Sequence, residues 1–184
     1  MDDGLLPREF AGGRLRRMRP SDRDAFQAYR SLPDLGRYQG WSPMSDAQAL
    51  DFLVEVSQAP LFAAGEWVQV GIADAVSDAL LGDIGLFVSE DGREGEVGFT
   101  LQPSAQGRGI ATRAVAAALE LLFSATGVER ILGITDDRNL PSIGLLRRLG
   151  FEHVETRRVE FRGEPCTEQV YALARRTASL RETP

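Results

Sequence analysis

The chain has 184 residues, 43% hydrophobic and 26% charged, which suits one single-core domain and leaves too little for two. All 21 of its cationic side chains are arginine, and it has one histidine (His153) and one cysteine (Cys166), so a Walker lysine, a Schiff-base lysine, a His/Cys metal cluster and a disulfide are excluded. A formal net charge of -6 argues against nucleic-acid binding by phosphate neutralisation and favours a cationic amine as the small partner.

Met1–Pro7 carries acids where a signal peptide would be positive, and no apolar run approaches membrane-spanning length. A cytoplasmic protein with no membrane partner is expected. Leu15–Arg19 reads as a first strand closed by Pro20. Ser21, with Asp24 three residues on, reads as the cap of a helix ending at Arg30. A breaker-rich loop with Tyr38 and Trp41 follows. Ser45 then opens a second helix whose buried side is marked by Ala49, Leu50, Leu53, Val54 and Val56.

From Trp67 the period becomes two, giving strands at Trp67–Ile72, Leu80–Val88 and Gly95–Leu101 in an antiparallel meander. Gly85 and Gly98 inside them point to a bulge, or to a place where a ligand or another backbone comes close. A long apolar helix is expected from Ile110 to about Ser124, then a strand (Glu129–Thr135), a short helix (Pro141–Arg148) and two strands (Phe151–Phe161 and Thr167–Ala174). The order gives an α/β domain with a mixed sheet of about six or seven strands, its core at about 12–175 and a disordered tail after it.

The sequence Gln106-Gly107-Arg108-Gly109-Ile110-Ala111-Thr112 stands between a strand and a helix N-terminus. Unpaired N–H groups, the helix dipole and glycines without Cβ make a cradle for phosphate there, to which Arg108 and Arg113 could add charge. Read as structure alone, Gly107 and Gly109 only make the turn. A dinucleotide fingerprint fails because its third glycine would fall at Thr112.

This segment resembles the Q/R-x-x-G-x-G/A signature of the GNAT superfamily of acetyl-CoA-dependent N-acetyltransferases. Asn139-Leu140-Pro141-Ser142 followed by Leu149-Gly150-Phe151 resembles the family's second block. The serine version of that block, the Arg37-Tyr38 loop and the closing strand to Leu173 are similar to the RimJ/RimL-like branch. The resemblance implies a single-domain GNAT fold with a V-shaped split between the two central strands, and acetyl-CoA as co-substrate with no metal. It implies pantetheine pairing along Phe99, Thr100 and Leu101, pyrophosphate on the N–H groups of Gly107 to Thr112, Asn139 bonding the CoA, and Ser142 near the thioester sulfur. Many GNAT enzymes have a tyrosine acid four residues before the glycine of L-G-F; Leu146 stands there, which shifts that role to Ser142.

Attack by an amine needs a base. Glu96 is the first candidate, since alternation places it on one face with Gly98 and Thr100; Asp83 on the neighbouring strand is the second. Read as structure alone, Glu96 is a solvated carboxylate paired with an arginine. Tyr38, Trp41 and Trp67 could line the acceptor pocket, with Trp41 ranked first because its loop should be at the surface. His153 reads as structural, and nothing marks Cys166 as an activated nucleophile. The expected activity is acetyl transfer to a primary amine, a protein α-amine or a small amine, directly in a ternary complex, by a monomer or homodimer. Two rivals remain: an acyl-CoA-binding module without turnover, and a nucleotide-binding domain.

Overall fold

The alternation between Trp67 and Leu101 folds, in the computed structural model, into the centre of a single sheet. The structure describes residues 4–175, so the expected disordered tail lies outside the described residues. In chain order the elements are β1 (Arg8–Phe10), β2 (Gly13–Arg17), α1 (Arg23–Arg30), α2 (Pro33–Gly36), α3 (Asp46–Gln58), β3 (Trp67–Asp74), β4 (Leu80–Val88), β5 (Glu94–Leu101), α4 (Ile110–Ala125), β6 (Arg130–Asp136), α5 (Leu140–Arg148), β7 (Glu152–Phe161) and β8 (Glu164–Ala174). Among the described residues the sheet has eight strands in the order β1-β2-β3-β4-β5-β6-β8-β7, antiparallel throughout except between β5 and β6. The strand beyond the expected six or seven is β1, whose three residues are too few to show a period.

One face of the sheet packs against α4 and α5. Val70, Ile72, Ile84, Leu86, Val97 and Ile131 are all buried there, under Ala114, Val115, Ala118, Leu121 and Leu122 of α4. The alanines bring α4 close to the sheet, and each buried aliphatic side chain contributes about 1.5–3 kcal/mol. The other face is covered at one end only, by α1 and α3, through Met18, Phe26, Tyr29, Leu53 and Leu80.

Local readings hold to different degrees. Ser45 caps α3 as expected, exchanging hydrogen bonds with Gln48 in a capping box. On that helix, however, Leu50 and Val54 are 39% and 41% exposed, because only Ala49, Leu53 and Val56 turn inward. Ser21 does not cap α1. A 3-10 turn, Pro20–Asp22, intervenes, and Asp22 instead accepts from the Arg19 N–H at 2.8 Å and pairs in two bonds with the buried Arg16. The β4–β5 ladder stays in register from Gly82 opposite Leu101 to Val88 opposite Gly95, so neither Gly85 nor Gly98 makes a bulge. The two glycines face each other, Gly98 open and Gly85 covered by the Gln69 and Trp67 side chains; the irregularity lies in the β3–β4 pairing, between Ile72 and Ala73.

Gly82 sits where β4 and β5 approach most closely: a Cβ there would overlap the Thr100 carbonyl oxygen and reach Leu101 Cα at 2.9 Å. Backbone cannot step aside as a side chain end can. Gly82→Ala should therefore destabilise the fold by about 3 kcal/mol, read by urea unfolding.

Candidate active site

Parallel pairing of β5 with β6 covers only Glu94, Gly95 and Glu96 against Arg130, Ile131 and Leu132. Beyond Glu96 the strands separate. The carbonyls of Phe99 and Leu101 face the gap, where they accept from side chains, Gln39 Nε2 at 3.2 Å and Gln106 Nε2 at 2.9 Å. A residue's N–H and C=O point to the same side of a strand, so the N–H groups of Phe99 and Leu101 share this edge. Thr100, between them, pairs its backbone with β4 opposite Asp83; this corrects the expectation that all three residues offer backbone to the split. The cleft is lined by Tyr38, Gly98, Phe99, Gly133, Asn139 and Ser142. Gly133 admits α5 closely, since a Cβ there would meet Leu146 at 2.6 Å. A wider groove at the opposite end of β6, beside Phe123, is lined by Leu149 and Gly150 of the second block but by neither the glycine-rich turn nor Asn139 and Ser142.

The glycine-rich turn opens to solvent beside this cleft. Gly107 and Gly109 hold φ of +73° and +71°, the left-handed region that disfavours side chains. Gly109 is the N-cap of α4 and offers no side chain, and the helical bonding begins with Arg113 N–H to Gly109 C=O at 3.2 Å. The N–H groups of Ile110, Ala111 and Thr112 thus lie at the positive end of α4 ahead of its first bond. Of the two expected cations, Arg108 is exposed, whereas Arg113 holds the turn, donating to Ala11 C=O at 2.6 Å and Arg108 C=O at 3.0 Å.

Asn139 caps α5, its Oδ1 accepting from the Ser142 N–H at 3.4 Å. Ser142 is therefore not the cap, and among the described residues its hydroxyl has no protein partner. Both side chains are half-buried in the cleft.

The two carboxylate candidates have opposite environments. Glu96 is half-buried and, among the described residues, in no ion pair. Burial pushes its carboxyl above the usual range, helped by Glu168 and Glu94 and opposed by Arg157. Asp83 is only 2% exposed, held by Arg30 Nη2 at 2.7 Å and by the Tyr29 hydroxyl. Burial, then Asp83, drives the Tyr29 phenol well above its ordinary value, so it remains a donor. Asp83 thus anchors α1 and leaves the list of candidate bases: alternation puts it on the correct face, but α1 covers that end of it. Burial also raises the Cys166 thiol, consistent with an inert cysteine.

Tyr38 reaches the cleft, between the guanidiniums of Arg37 (5.4 Å) and Arg138 (5.7 Å). Trp41 does not line it. Its ring packs on Arg30 at 4.5 Å and against Gly36; the loop is at the surface as expected, with Arg37, Gly40, Ser42 and Pro43 exposed, but the ring itself turns in toward α1. Two residues with no sequence signal complete this side: Gln39, bonded to Phe99, and Arg162 in the two-residue turn between β7 and β8, which donates to the carbonyls of Gln39 (3.0 Å) and Trp41.

A family model of the acetyltransferase (GNAT) domain matches residues 14–152. An N-acetyltransferase of Bacillus licheniformis, p20, is 28% identical over 140 residues, 75% of this chain and 78% of that one. Among solved structures, a GNAT-family acetyltransferase from Bacillus anthracis superposes with a TM-score of 0.81 at 18% identity, covering 92% of this chain and 98% of that one. The ribosomal L7/L12 α-N-protein acetyltransferase RimL in complex with coenzyme A gives 0.76 at 17% identity, with 90% and 98% covered. A ribosomal-protein-serine acetyltransferase from Vibrio cholerae gives 0.74 at 18%, with 92% and 98% covered. At these identities the structural likeness speaks to fold alone.

The raised Glu96 carboxyl has a stability consequence. Between the unfolded value near 4.5 and its higher folded value the native state binds more protons than the unfolded chain, so stability falls as pH rises through that window. Glu96→Gln should be more stable than the parent at pH 8, with the difference gone below pH ~4, where both states are protonated; melting temperatures across that range test it.

Proposed function

Because the chain belongs to the GNAT acetyltransferase family, we propose that it transfers acetyl from acetyl-CoA to a primary amine by direct attack, as a RimJ/RimL-like enzyme of the cytoplasm. The observation that carries this reading is the unpaired edge of β5, at Phe99 and Leu101, beside an exposed glycine cradle on α4. The residues present fit the co-substrate. Gly107 leaves open the space a Cβ would fill, as does Gly98 beside the cleft, and the N–H groups of Ile110 to Thr112 suit a pyrophosphate. Asn139 and the edge of β5 would hold the pantetheine arm.

Acetyl-CoA supplies an activated thioester. For the rest, Glu96 takes the proton from the incoming ammonium, directly or through one water, and its raised affinity for protons makes it a better base than a solvated glutamate. The N–H of Phe99 or Leu101 offers a fixed donor to negative charge developing on the acyl oxygen. Ser142 Oγ, without a protein partner among the described residues, is free to hydrogen-bond the departing sulfur. A binding module without turnover would keep the cradle but make no use of Glu96.

Product mass spectrometry after incubation with acetyl-CoA and a mixed panel of N-terminal peptides and small amines tests the reading. Glu96→Gln should lower kcat about a hundredfold with coenzyme A affinity unchanged. Gly109→Ala forces a side chain into the left-handed region, 2.9 Å from the Arg113 guanidinium. It should weaken coenzyme A binding about tenfold by calorimetry. If coenzyme A does not raise the melting temperature of the parent protein, the proposal fails.

A further inference from the structure

The sheet face opposite α4 is left open beyond the end covered by α1 and α3, and the residues there form two adjacent rows. Glu96 on β5 pairs with Phe87 on β4, which pairs with Trp67 on β3; one step along, Gly98 pairs with Gly85, which pairs with Gln69. Neighbouring strands are about 4.8 Å apart and the rows about 7 Å apart. Trp67 is 50% exposed and lies against Phe87, ring centroids 5.5 Å apart. The Gln69 Oε1 atom is buried and has no hydrogen-bond donor among the described residues, and it stands with the Trp67 ring over Gly85, at 2.8 and 3.2 Å from where a Cβ would be. Nothing stands over Gly98.

We propose that this trough is the acceptor site, and that it selects a primary amine bearing an aromatic group and a nearby N–H donor: the amine at Glu96, the N–H on Gln69 Oε1, the aromatic group on Trp67. This rests on the acetyl-transfer reading of Glu96. Each contact has a separate physical reason. The half-exposed Trp67–Phe87 pair offers a flat apolar platform one strand from the carboxylate. A buried acceptor without a donor is costly, and a ligand N–H relieves it. Gly98 alone is uncovered, and the room above it lets a ligand lie between Glu96 and the Gln69 and Trp67 side chains that cover Gly85. Trp67, not Trp41, is then the tryptophan that contacts substrate.

The test uses three amines with saturating acetyl-CoA. Phenylalanine amide has all three groups, alanine amide lacks the aromatic ring, and phenethylamine lacks the donor. The parent enzyme should prefer phenylalanine amide by about tenfold in kcat/KM over each of the others. Trp67→Ala should abolish the preference over alanine amide, and Gln69→Leu the preference over phenethylamine, acting mainly through KM while calorimetric acetyl-CoA affinity stays at the parent value. A Phe-Gly-Gly peptide run alongside separates a chain terminus from a free small amine as the source. Equal treatment of the three amines by the parent, or loss of kcat on all three in both variants, overturns the proposal. Should no amine be acetylated, Trp41→Phe leaves Trp67 as the single tryptophan, excited selectively over the three tyrosines. Saturable change of its emission by phenylalanine amide then upholds the trough and defeats the transfer reading; unchanged emission defeats the trough.

Discussion

Everything at the candidate site depends on two neighbouring strands parting after three paired residues. Between Glu94 and Glu96 the sheet is continuous; past that point β5 and β6 each carry backbone groups with no strand to meet. Such groups cannot be left bare in a folded interior. Here Gln39 and Gln106 satisfy the carbonyls of Phe99 and Leu101, while the neighbouring N–H groups stay on the edge. Two glycines shape the opening in opposite ways: Gly133 lets α5 close down on β6, and Gly98 keeps β5 uncovered. The site is thus a property of the sheet before it is a property of any side chain.

The second element is the loop from Arg37 to Trp41, which sequence alone places at the surface. It is held from three directions, by Arg30 under the Trp41 ring, Arg138 beside Tyr38, and Arg162 reaching across from the β7–β8 turn. Arg30 is itself fixed by Asp83, so a buried ion pair on β4 sets the position of a loop that borders the cleft. This gives the Asp83 carboxylate a use that its burial would otherwise obscure. Acid–base work needs access, whereas a buried pair needs only its partners.

Much of this was legible because it is written in short-range periodicity. The meander, α4 and the glycine turn follow from alternation, apolar spacing and two residues that tolerate positive φ, and the element order carries the fold. Asp83 and the Trp41 ring depart from expectation for one common reason: local pattern reports which face a residue occupies, not that Arg30 of α1 lies against both. Gln39, Gln69 and Arg162 give no signal at all, since their importance lies in contacts to residues 60, 16 and 123 positions away. β1 was lost to its length, and the cap of α1 to Arg16, whose demand for Asp22 outweighs a local preference.

Arg30, Arg113, Arg138 and Arg162, the cations that hold the loop and the cradle, share a chemical property that matters beside a reactive thioester. A guanidinium keeps its proton at any physiological pH, even when buried, and so is not a nucleophile. A lysine in the setting of Arg30, nearly enclosed beside aromatic rings, could lose its proton and compete for the acyl group. A scaffold built on arginine is inert toward the reagent it handles.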